Sequence, residues 1–286
     1  MRAENAIGNH AAELLSGQRF EFGANWSAFL RTLNPQRVEL AEQSLQNFLG
    51  MRDLRGKSFL DIGSGSGLFS LAARRLGASV HSFDYDPQSV QCTRELKNRY
   101  FRDDSGWTIE AGSALDPDYL KTLGKYDVVY SWGVLHHTGE MWTALANAVA
   151  LVAPNGRLFI ALYNDQGSMS SRWRTLKRIY NRLPRFLRTP YLIAVMGPRE
   201  LRLFLGAALR LRLWSYIDSR LHYAQRSLRG MSYWHDIVDW IGGYPFEVAK
   251  PEEVFAFCRD RGFRLQELKT SGGGLACNQF VFVNQK

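Results

Sequence analysis

The sequence contains few cysteines, and their arrangement suggests neither a disulfide framework nor a metal site. Its 286 residues include three, Cys92, Cys258 and Cys277, which are scattered without the close pairs typical of zinc ligands. Disulfide-stabilised domains are dense in cysteine and are made in oxidising compartments. We therefore expect a reducing compartment, the cytoplasm, and no bound metal.

Long hydrophobic runs are also missing. The longest, Tyr191–Gly197 and Leu203–Leu209, are far shorter than the roughly 18 residues that suggest a membrane-spanning helix. Residues 1–18 are mixed and polar, without the apolar core of a secretory signal. Hydrophobic residues still make up 45% of the chain, which predicts a globular protein with a sizeable core.

Acidic residues are scarce in one segment of the chain. From Arg172 to Arg229 there are thirteen arginines and one lysine, but only Glu200 and Asp218 as acids. This segment therefore carries a net charge of +12, while the whole chain carries +9 and the remainder is close to −3. The basic character belongs to one module, and any anionic partner is to be sought there.

Short apolar segments alternate with helical patterns through the first half of the chain. The predicted strands are Ser58–Ile62, Ser79–Phe83, Trp107–Ala111, Tyr126–Ser131 and Arg157–Tyr163, and the predicted helices cover residues 68–76, 87–100 and 141–152. Repeated units of this length indicate a parallel sheet with helices on both faces. Such sheets bind ligands at the carboxyl ends of their strands.

The rest of the chain divides into three further parts. Residues 1–50 predict a helical cap before the core at 51–165, and residues 166–248 form an insertion without a clear strand. Its helical stretches are predicted at Arg172–Arg182, Arg199–Trp214 and Ile217–Leu228. Residues 249–286 return to the sheet with a helix at 251–261 and strands Phe263–Lys269 and Cys277–Val283. The glycine turn between these strands makes the last one antiparallel.

A glycine-rich turn follows the first strand, in the sequence Asp61-Ile62-Gly63-Ser64-Gly65-Ser66-Gly67. Glycines permit a tight turn and a close approach of a ligand to the backbone. The next helix points its amide-rich N-terminus at the turn. A carboxylate at Asp61 would repel a diphosphate and suits a ligand with a cation or hydroxyl groups. From this stretch alone, a plain strand-to-helix turn stays an alternative.

A second acid, Asp84, ends the second strand 23 residues after Asp61. An acid at this offset hydrogen-bonds ribose hydroxyls in nucleotide-binding sheets. Asp86 directly precedes Pro87 and is the better candidate for capping the following helix. We therefore assign ribose binding to Asp84 and helix capping to Asp86.

Together these motifs resemble the class I S-adenosylmethionine-dependent methyltransferases. The Asp61–Gly67 stretch is similar to their first motif, and the acid at the second strand end, the strand running into Trp132–His137 and the turn at residues 153–156 agree with it. The resemblance implies an α/β, Rossmann-like, seven-stranded, mostly parallel sheet with an antiparallel last strand. Within this superfamily the pattern is similar to the small-molecule O-methyltransferases of quinone biosynthesis.

The resemblance also implies that S-adenosylmethionine lies across the strand ends. The glycine loop would face its methionine moiety, Asp84 its ribose, and Ser113 its adenine, where the family often has an acid. The residues expected to bind the cofactor are Asp61, Gly63, Ser64, Gly65, Gly67, Asp84, Tyr85, Ser113, Ala114, Ser131, Trp132 and Gly133.

Histidines are the candidate catalytic bases, because a hydroxyl acceptor must lose its proton near neutral pH. The pair His136-His137 fits the position where related enzymes carry an acid-His or His-His pair, and we favour His136 slightly. Packing at a helix start is the alternative for this pair. His235, followed by Asp236, is a further candidate base. We favour the alternative that these residues pack and form salt bridges in a lid over the site.

The acceptor pocket is the least recognisable part of the sequence. An aromatic cluster at residues 231–247 closes the insertion and returns the chain to the sheet, so we expect it over the site. The residues proposed to contact substrate are Trp26, Tyr163, Tyr233, Trp234, Asp239, Tyr244 and Asn278.

The expected function is methyl transfer from S-adenosylmethionine to a small molecule, at oxygen, by direct displacement. Two alternatives stay open: an RNA methyltransferase that grips phosphate with the basic insertion, and a non-catalytic cofactor-binding protein. Three roles are open for the insertion: a lid over the site, a homodimer surface, or a contact with the membrane surface. Nucleic acid is disfavoured because the sequence contains no recognisable RNA-binding module.

Overall fold

A computed structural model of the protein describes residues 2–223, 233–272 and 276–286, and in them seven strands form one sheet. The strands are β1 (Ser58–Ile62), β2 (Ser79–Asp84), β3 (Trp107–Ala111), β4 (Tyr126–Trp132), β5 (Val152–Tyr163), β6 (Phe263–Lys269) and β7 (Cys277–Asn284). Their order is β3-β2-β1-β4-β5-β7-β6, and only β7 runs antiparallel to its neighbours. The predicted fold class is confirmed, including the reversed last strand.

Twelve α-helices lie in the described part of the chain. Those before or within the sheet are α1 (Arg2–Leu15), α2 (Gly23–Thr32), α3 (Pro35–Leu49), α4 (Leu68–Arg75), α5 (Pro87–Tyr100), α6 (Pro117–Leu120) and α7 (Met141–Ala150). After β5 come α8 (Ser168–Arg182), α9 (Arg185–Leu209), α10 (Leu213–Leu221), α11 (Tyr233–Gly242) and α12 (Pro251–Arg259).

Alternate residues of the strands pack on opposite faces of the sheet, as the two-residue period of a strand requires. Phe59 joins a core cluster with residues of α2 to α5, whereas its neighbour Leu60 joins a second cluster with residues of α7 and α12. Both side chains are fully buried. The helices therefore cover both faces, which leaves the strand ends as the place where a ligand can reach the sheet.

The start of α5 follows from a proline and an aspartate. Pro87 is the first helical residue, and the side chain of Asp86 accepts a hydrogen bond of 2.8 Å from the Gln88 amide. The predicted capping role of Asp86 is confirmed. Its other oxygen accepts from the Gly23 amide at 2.7 Å, so the same carboxylate fixes the start of α2 against the core.

The fifth strand begins earlier than predicted. The turn-like residues 153–156 lie inside β5, which starts at Val152, and the expected extension of α7 to residue 152 was wrong. The pairing of β4 with β5 shifts register between Tyr126 and Val128, and Asn155 has a φ of +57°. A β-bulge therefore lets the turn-like residues 153–156 remain within the strand.

The insertion consists of helices, as expected, but their bounds differ. The predicted helix at Arg199–Trp214 was wrong: α9 begins at Arg185, contains Pro190 and Pro198, and ends at Leu209. Leu211, with a φ of +54°, separates α9 from α10. The predicted stretch Ile217–Leu228 extends beyond the described residues.

A third apolar cluster holds the insertion together and connects it to the N-terminal segment. It contains Phe20, Tyr180, Leu192, Met196, Ile237 and Ile241. Lys177 of α8 is fully buried beside this cluster, donates a hydrogen bond to the carbonyl of Trp240, and lies 4.2 Å from the centre of its ring. These contacts fix α8 against α11.

Candidate active site

The glycine turn after β1 has the backbone conformation that glycine permits best. Gly63, Gly65 and Gly67 have φ values of +76°, +56° and +78°, a region that other residues rarely adopt. The amide of Gly63 donates to the Phe83 carbonyl at 2.8 Å, and that of Gly65 donates to the Asp84 carboxylate at 2.8 Å. The turn is thus fixed against the end of β2, with its backbone open to a neighbouring cavity at Gly63.

We expect Gly63→Ala to destabilise the protein more than Gly124→Ala. Both glycines have φ near +75°, so both substitutions impose the same kind of backbone strain, about 1–2 kcal/mol. A Cβ at Gly63 would also overlap the side chain of Val134, whereas one at Gly124 meets no atom within 4 Å. Overpacking adds about 1–3 kcal/mol. Urea unfolding of the two variants measures this difference, and equal losses would contradict it.

The two acids at the strand ends occupy different environments. Asp61 is buried behind the turn and accepts a hydrogen bond from the Ser70 hydroxyl. Asp84 lines the cavity, and its two oxygens accept from the amides of Gly65 at 2.8 Å and Asp86 at 2.9 Å. Burial raises the pKa of Asp61 to about 7, against the opposing effect of Ser70. Burial likewise raises the pKa of Asp84 to about 7.

The contribution of Asp61 to the stability of the protein, measured without added cofactor, should fall as the pH rises from about 4 to 7. Because the folded-state pKa of Asp61 lies above its unfolded value, the native state binds more protons in this range. The stabilisation is complete below the unfolded pKa, about 3.9, and is lost as the pH rises through about 7. One such carboxyl contributes a slope of up to about 1.4 kcal/mol per pH unit.

The uncharged variant Asp61→Asn should make this part of the pH profile less steep, as measured by urea unfolding, and should leave the contribution of Asp84, whose pKa burial also raises to about 7. The matched control is Asp53→Asn, which changes an exposed carboxyl and should leave the slope as in the wild type. A slope in Asp61→Asn equal to that of the wild type would contradict the assignment to Asp61.

A cavity of about 560 Å³ runs along the carboxyl ends of β1 to β4. Of the residues expected to bind the cofactor, six line it: Gly63, Asp84, Tyr85, Ser113, Ala114 and Gly133. The other six, Asp61, Ser64, Gly65, Gly67, Ser131 and Trp132, are not among its lining residues. Ser131, for example, donates to the Ile62 carbonyl at 3.1 Å, and Trp132 donates to Gln279 of β7 at 3.2 Å.

The two neighbouring histidines differ in their access to this cavity. They lie in a short 3-10 helix, Leu135–His137, after β4. His136 is fully buried, packs its ring 3.9 Å from that of Tyr163, and accepts from the Tyr163 amide at 3.2 Å. His137 lines the cavity, and its Nδ1 lies 2.5 Å from the carbonyl oxygen of Pro245.

The Pro245 carbonyl determines the tautomer of His137. A carbonyl oxygen only accepts hydrogen bonds, so Nδ1 must be the donor. In the neutral ring the lone pair is therefore on Nε2, the nitrogen that can take a proton. Of the two histidines, His137 is the one that lines the cavity, with Nδ1 as its hydrogen-bond donor.

The N-terminal segment closes the cavity, which the sequence did not reveal. His10, Glu13, Arg19, Phe20 and Phe22 all line it. Arg19 donates to Glu13 at 2.6 Å and to the carbonyl of His137 at 3.0 Å. No periodicity or motif in residues 1–50 identifies these residues as part of a site, because the contacts depend on how the segment folds over the sheet.

A second cavity of about 360 Å³ shares Glu13, Arg19 and Thr138 with the first. It is lined also by Gln18, Gly139, Arg174, Tyr244, Pro245, Phe246 and Glu247. Arg174 donates to the Phe246 carbonyl at 3.0 Å, and burial raises the pKa of Glu247. The shared residues make the two spaces neighbours at the His137 end of the first cavity.

The residues proposed to contact substrate are dispersed. Tyr244 lines the second cavity, while Trp26 packs over Gly65, and the ring of Tyr163 packs against that of His136. Asp239 accepts from Asn25 at 3.0 Å, and Asn278 donates to Asn164 at 2.9 Å.

The remaining candidates belong to α11. Tyr233 donates to Glu200, and Trp234 is exposed. Residue 235 lies in α11, but the side chain of His235 is outside the described residues. Its predicted catalytic role stays a prediction.

Comparison with known proteins connects this geometry to a family. A family model described as "Methyltransferase domain" matches residues 33–228, more than half of the chain. The ubiquinone biosynthesis O-methyltransferase of Xanthomonas euvesicatoria pv. vesicatoria is 30% identical over 137 residues, 47% of this chain and 52% of that protein. The protein of the same name from Azorhizobium caulinodans is 27% identical over 158 residues, 51% of this chain and 60% of that protein.

The match therefore spans only about half the length of these curated relatives. Among solved structures, magnesium protoporphyrin IX methyltransferase from Synechocystis PCC 6803, with bound SAH, has a TM-score of 0.51 at 17% identity. The alignment covers 87% of this chain and 82% of that one. At this identity the likeness shows a shared fold.

Proposed function

Since the chain belongs to the family of methyltransferase domains, we propose that it transfers the methyl group of S-adenosylmethionine to an oxygen atom of a small molecule. One observation carries the proposal: a single cavity reaches from a carboxylate suited to ribose, Asp84, to a histidine suited to deprotonating a hydroxyl, His137. The O-methyltransferase names of the curated relatives support oxygen as the acceptor atom.

The cavity fits this cofactor in size and in polarity. Its volume, about 560 Å³, falls within the range of small-molecule sites, roughly 300–1,000 Å³. Asp84 is oriented by two backbone amides, and each of its oxygens retains a lone pair for a ribose hydroxyl. Ser113 and Ala114 would lie beside the adenine, and Gly63 would allow the methionine moiety to approach the backbone.

S-adenosylmethionine supplies an electrophilic methyl group on a sulfonium, so the protein has to align and desolvate the acceptor. His137, in the tautomer set by Pro245, would take the proton of the acceptor hydroxyl at Nε2. The segment from α1 to α2 would exclude water from the cavity through Phe20 and Phe22.

The neighbouring cavity favours a small acceptor over a polymer. Its volume is about 360 Å³, and it adjoins the His137 end of the cofactor cavity through Thr138 and Arg19. Arg174, Tyr244 and Glu247 provide polar groups beside the apolar Phe246, a mixture that suits a hydroxylated aromatic molecule.

Incubation with methyl-labelled S-adenosylmethionine tests this function. The acceptors are a panel of phenols and catechols, a matched panel of anilines and thiophenols, and total RNA. We expect label in the ethers formed from the phenolic panel. Label confined to the amines, the thiols or RNA would overturn oxygen as the acceptor atom. Cofactor binding by calorimetry with no transfer to any acceptor class would favour a non-catalytic binding protein.

A further inference from the structure

The helices α9 and α10 expose an unusually apolar surface. α9 buries Leu192 and Met196 against the rest of the insertion, but much of its remaining surface is large and hydrophobic. Phe186 and Trp214 are each 76% exposed, and Leu209 is 87% exposed. Soluble monomers rarely leave contiguous apolar patches of this kind in water, so the surface indicates a partner.

The exposed apolar residues of α9 form a row along the helix. Phe186, Ile193, Leu201 and Phe204 follow one another at intervals of seven, eight and three residues, which places them on one side at 3.6 residues per turn. On α10, Leu213, Ile217 and Leu221 repeat every four residues and are also exposed. The two helices pack against each other through Phe204 and Tyr216, whose ring centres lie 5.8 Å apart, and both also carry these exposed apolar side chains.

Arginines accompany this apolar surface. Arg185, Arg199 and Arg202 are exposed on α9, and Arg210 and Arg212 are exposed at the turn. Residues 185–223 include seven arginines but only two acids, Glu200 and Asp218. Glu200 already accepts a hydrogen bond of 3.0 Å from Arg220. By the same helical spacing, Arg199 and Arg202 lie on the side of α9 roughly opposite the apolar row, so the helix pairs an apolar face with a basic one.

This combination is typical of helices that lie in the plane of a membrane interface. Such helices insert apolar side chains below the headgroups, while Lys and Arg attract anionic lipid. Within the described ranges, no helix is both long enough and apolar enough to cross a bilayer. We propose that α9 and α10 dock onto the surface of a bilayer that contains anionic lipid.

Two other partners fit this surface less well. RNA would engage the arginines through phosphate and could stack on Trp214, but it offers nothing to cover Ile193 or Leu201. A second copy related by a two-fold axis would place the same positively charged patch opposite itself. A bilayer that contains anionic lipid offers negatively charged headgroups to the arginines and an apolar interior to the hydrophobic side chains.

Sedimentation of the full chain with sucrose-loaded vesicles tests the proposal. We expect binding to vesicles of phosphatidylcholine with 30% phosphatidylglycerol, and affinity lower by about tenfold or more for pure phosphatidylcholine. Binding to the anionic vesicles should weaken in 0.5 M salt, because the arginines act through screened charge. Equal binding to both vesicle types, or none to either, would overturn the proposal.

Matched variants assign the binding to this surface. Leu205 lies one helical turn after Leu201 on α9, and Leu205→Glu is paired with Leu40→Glu, because both leucines are 50% exposed but Leu40 lies on α3, outside the insertion. Arg202→Glu combined with Arg210→Glu is paired with Arg52→Glu combined with Arg102→Glu, all at exposed positions. The variants on α9 and its following turn should lose about tenfold or more in vesicle affinity, and the controls should keep it. Circular dichroism and urea unfolding confirm that each variant folds.

Three results would contradict the lipid assignment. The controls could lose as much affinity as the variants of the surface. Light scattering could show a dimer that Leu205→Glu dissociates while vesicles do not bind, which would assign the surface to a second copy. RNA could bind through Arg202 and Arg210, independently of Leu205 and without vesicle binding, which would assign it to nucleic acid.

Discussion

Asp84→Asn should weaken binding of S-adenosylmethionine by about a hundredfold or more. The Asp84 carboxylate is fixed at the cavity wall by the amides of Gly65 and Asp86. Burial raises the pKa of Asp84 to about 7, so the measurement is made at about pH 8, where the carboxylate is charged. Two ribose hydroxyls bonded to it would then contribute about 1.5–3 kcal/mol each, and an amide oxygen replaces only part of that. Isothermal titration calorimetry with S-adenosylmethionine measures the loss directly.

Asp127→Asn is the matched control for this substitution. Asp127 is also a carboxylate that accepts from a backbone amide, that of Ser58 at 2.8 Å, but it lies at the opposite, amino-terminal edge of the sheet. We expect Asp127→Asn to affect the free energy of unfolding with cofactor affinity unchanged. Equal losses of affinity in the two variants, or full affinity in Asp84→Asn, would contradict ribose binding by Asp84.

The placement of Asp84 could be predicted because it depends on local pattern and on a general property of parallel sheets. The strand Ser79–Phe83 is recognisable from its composition, and an acid directly after it must lie at the carboxyl edge. The same reasoning brings Gly63, Ser113 and Gly133 to that edge, and all three line the cavity.

The N-terminal wall of the cavity could not be predicted in this way. Arg19 contacts the carbonyl of His137, 118 residues away along the chain, and Phe20 donates its amide to the carbonyl of Tyr244. These contacts depend on the path of α1 and α2 over the strand ends, which no local periodicity encodes. The sequence indicated helices there but not the face that they present to the site.

The sequence also could not predict which of the two neighbouring histidines, His136 or His137, faces the cavity. A sequence cannot indicate which of two neighbours faces a cavity when they follow a strand in a 3-10 helix rather than continuing its alternation. In the structure, His136 packs under Tyr163 and His137 reaches the cavity wall. The slight preference for His136 therefore has no support in geometry, and His137 is the residue that we propose as the base.

His137→Gln should reduce turnover by about a hundredfold or more while leaving the affinity for S-adenosylmethionine within a few-fold of the wild type. A positioned general base contributes roughly 10²–10⁴-fold, and glutamine can still donate a hydrogen bond to the Pro245 carbonyl without accepting a proton. The measurements are kcat with the best phenol or catechol of the acceptor panel, and cofactor affinity by calorimetry.

His136→Gln is the control, because His136 is fully buried and its ring packs against that of Tyr163. This substitution should lower the free energy of unfolding and should leave kcat within a few-fold of the wild type. A large loss of kcat in His136→Gln together with normal turnover in His137→Gln would reverse the assignment. Equal losses of turnover and of cofactor affinity in His137→Gln would instead give that side chain a role in holding the cavity together.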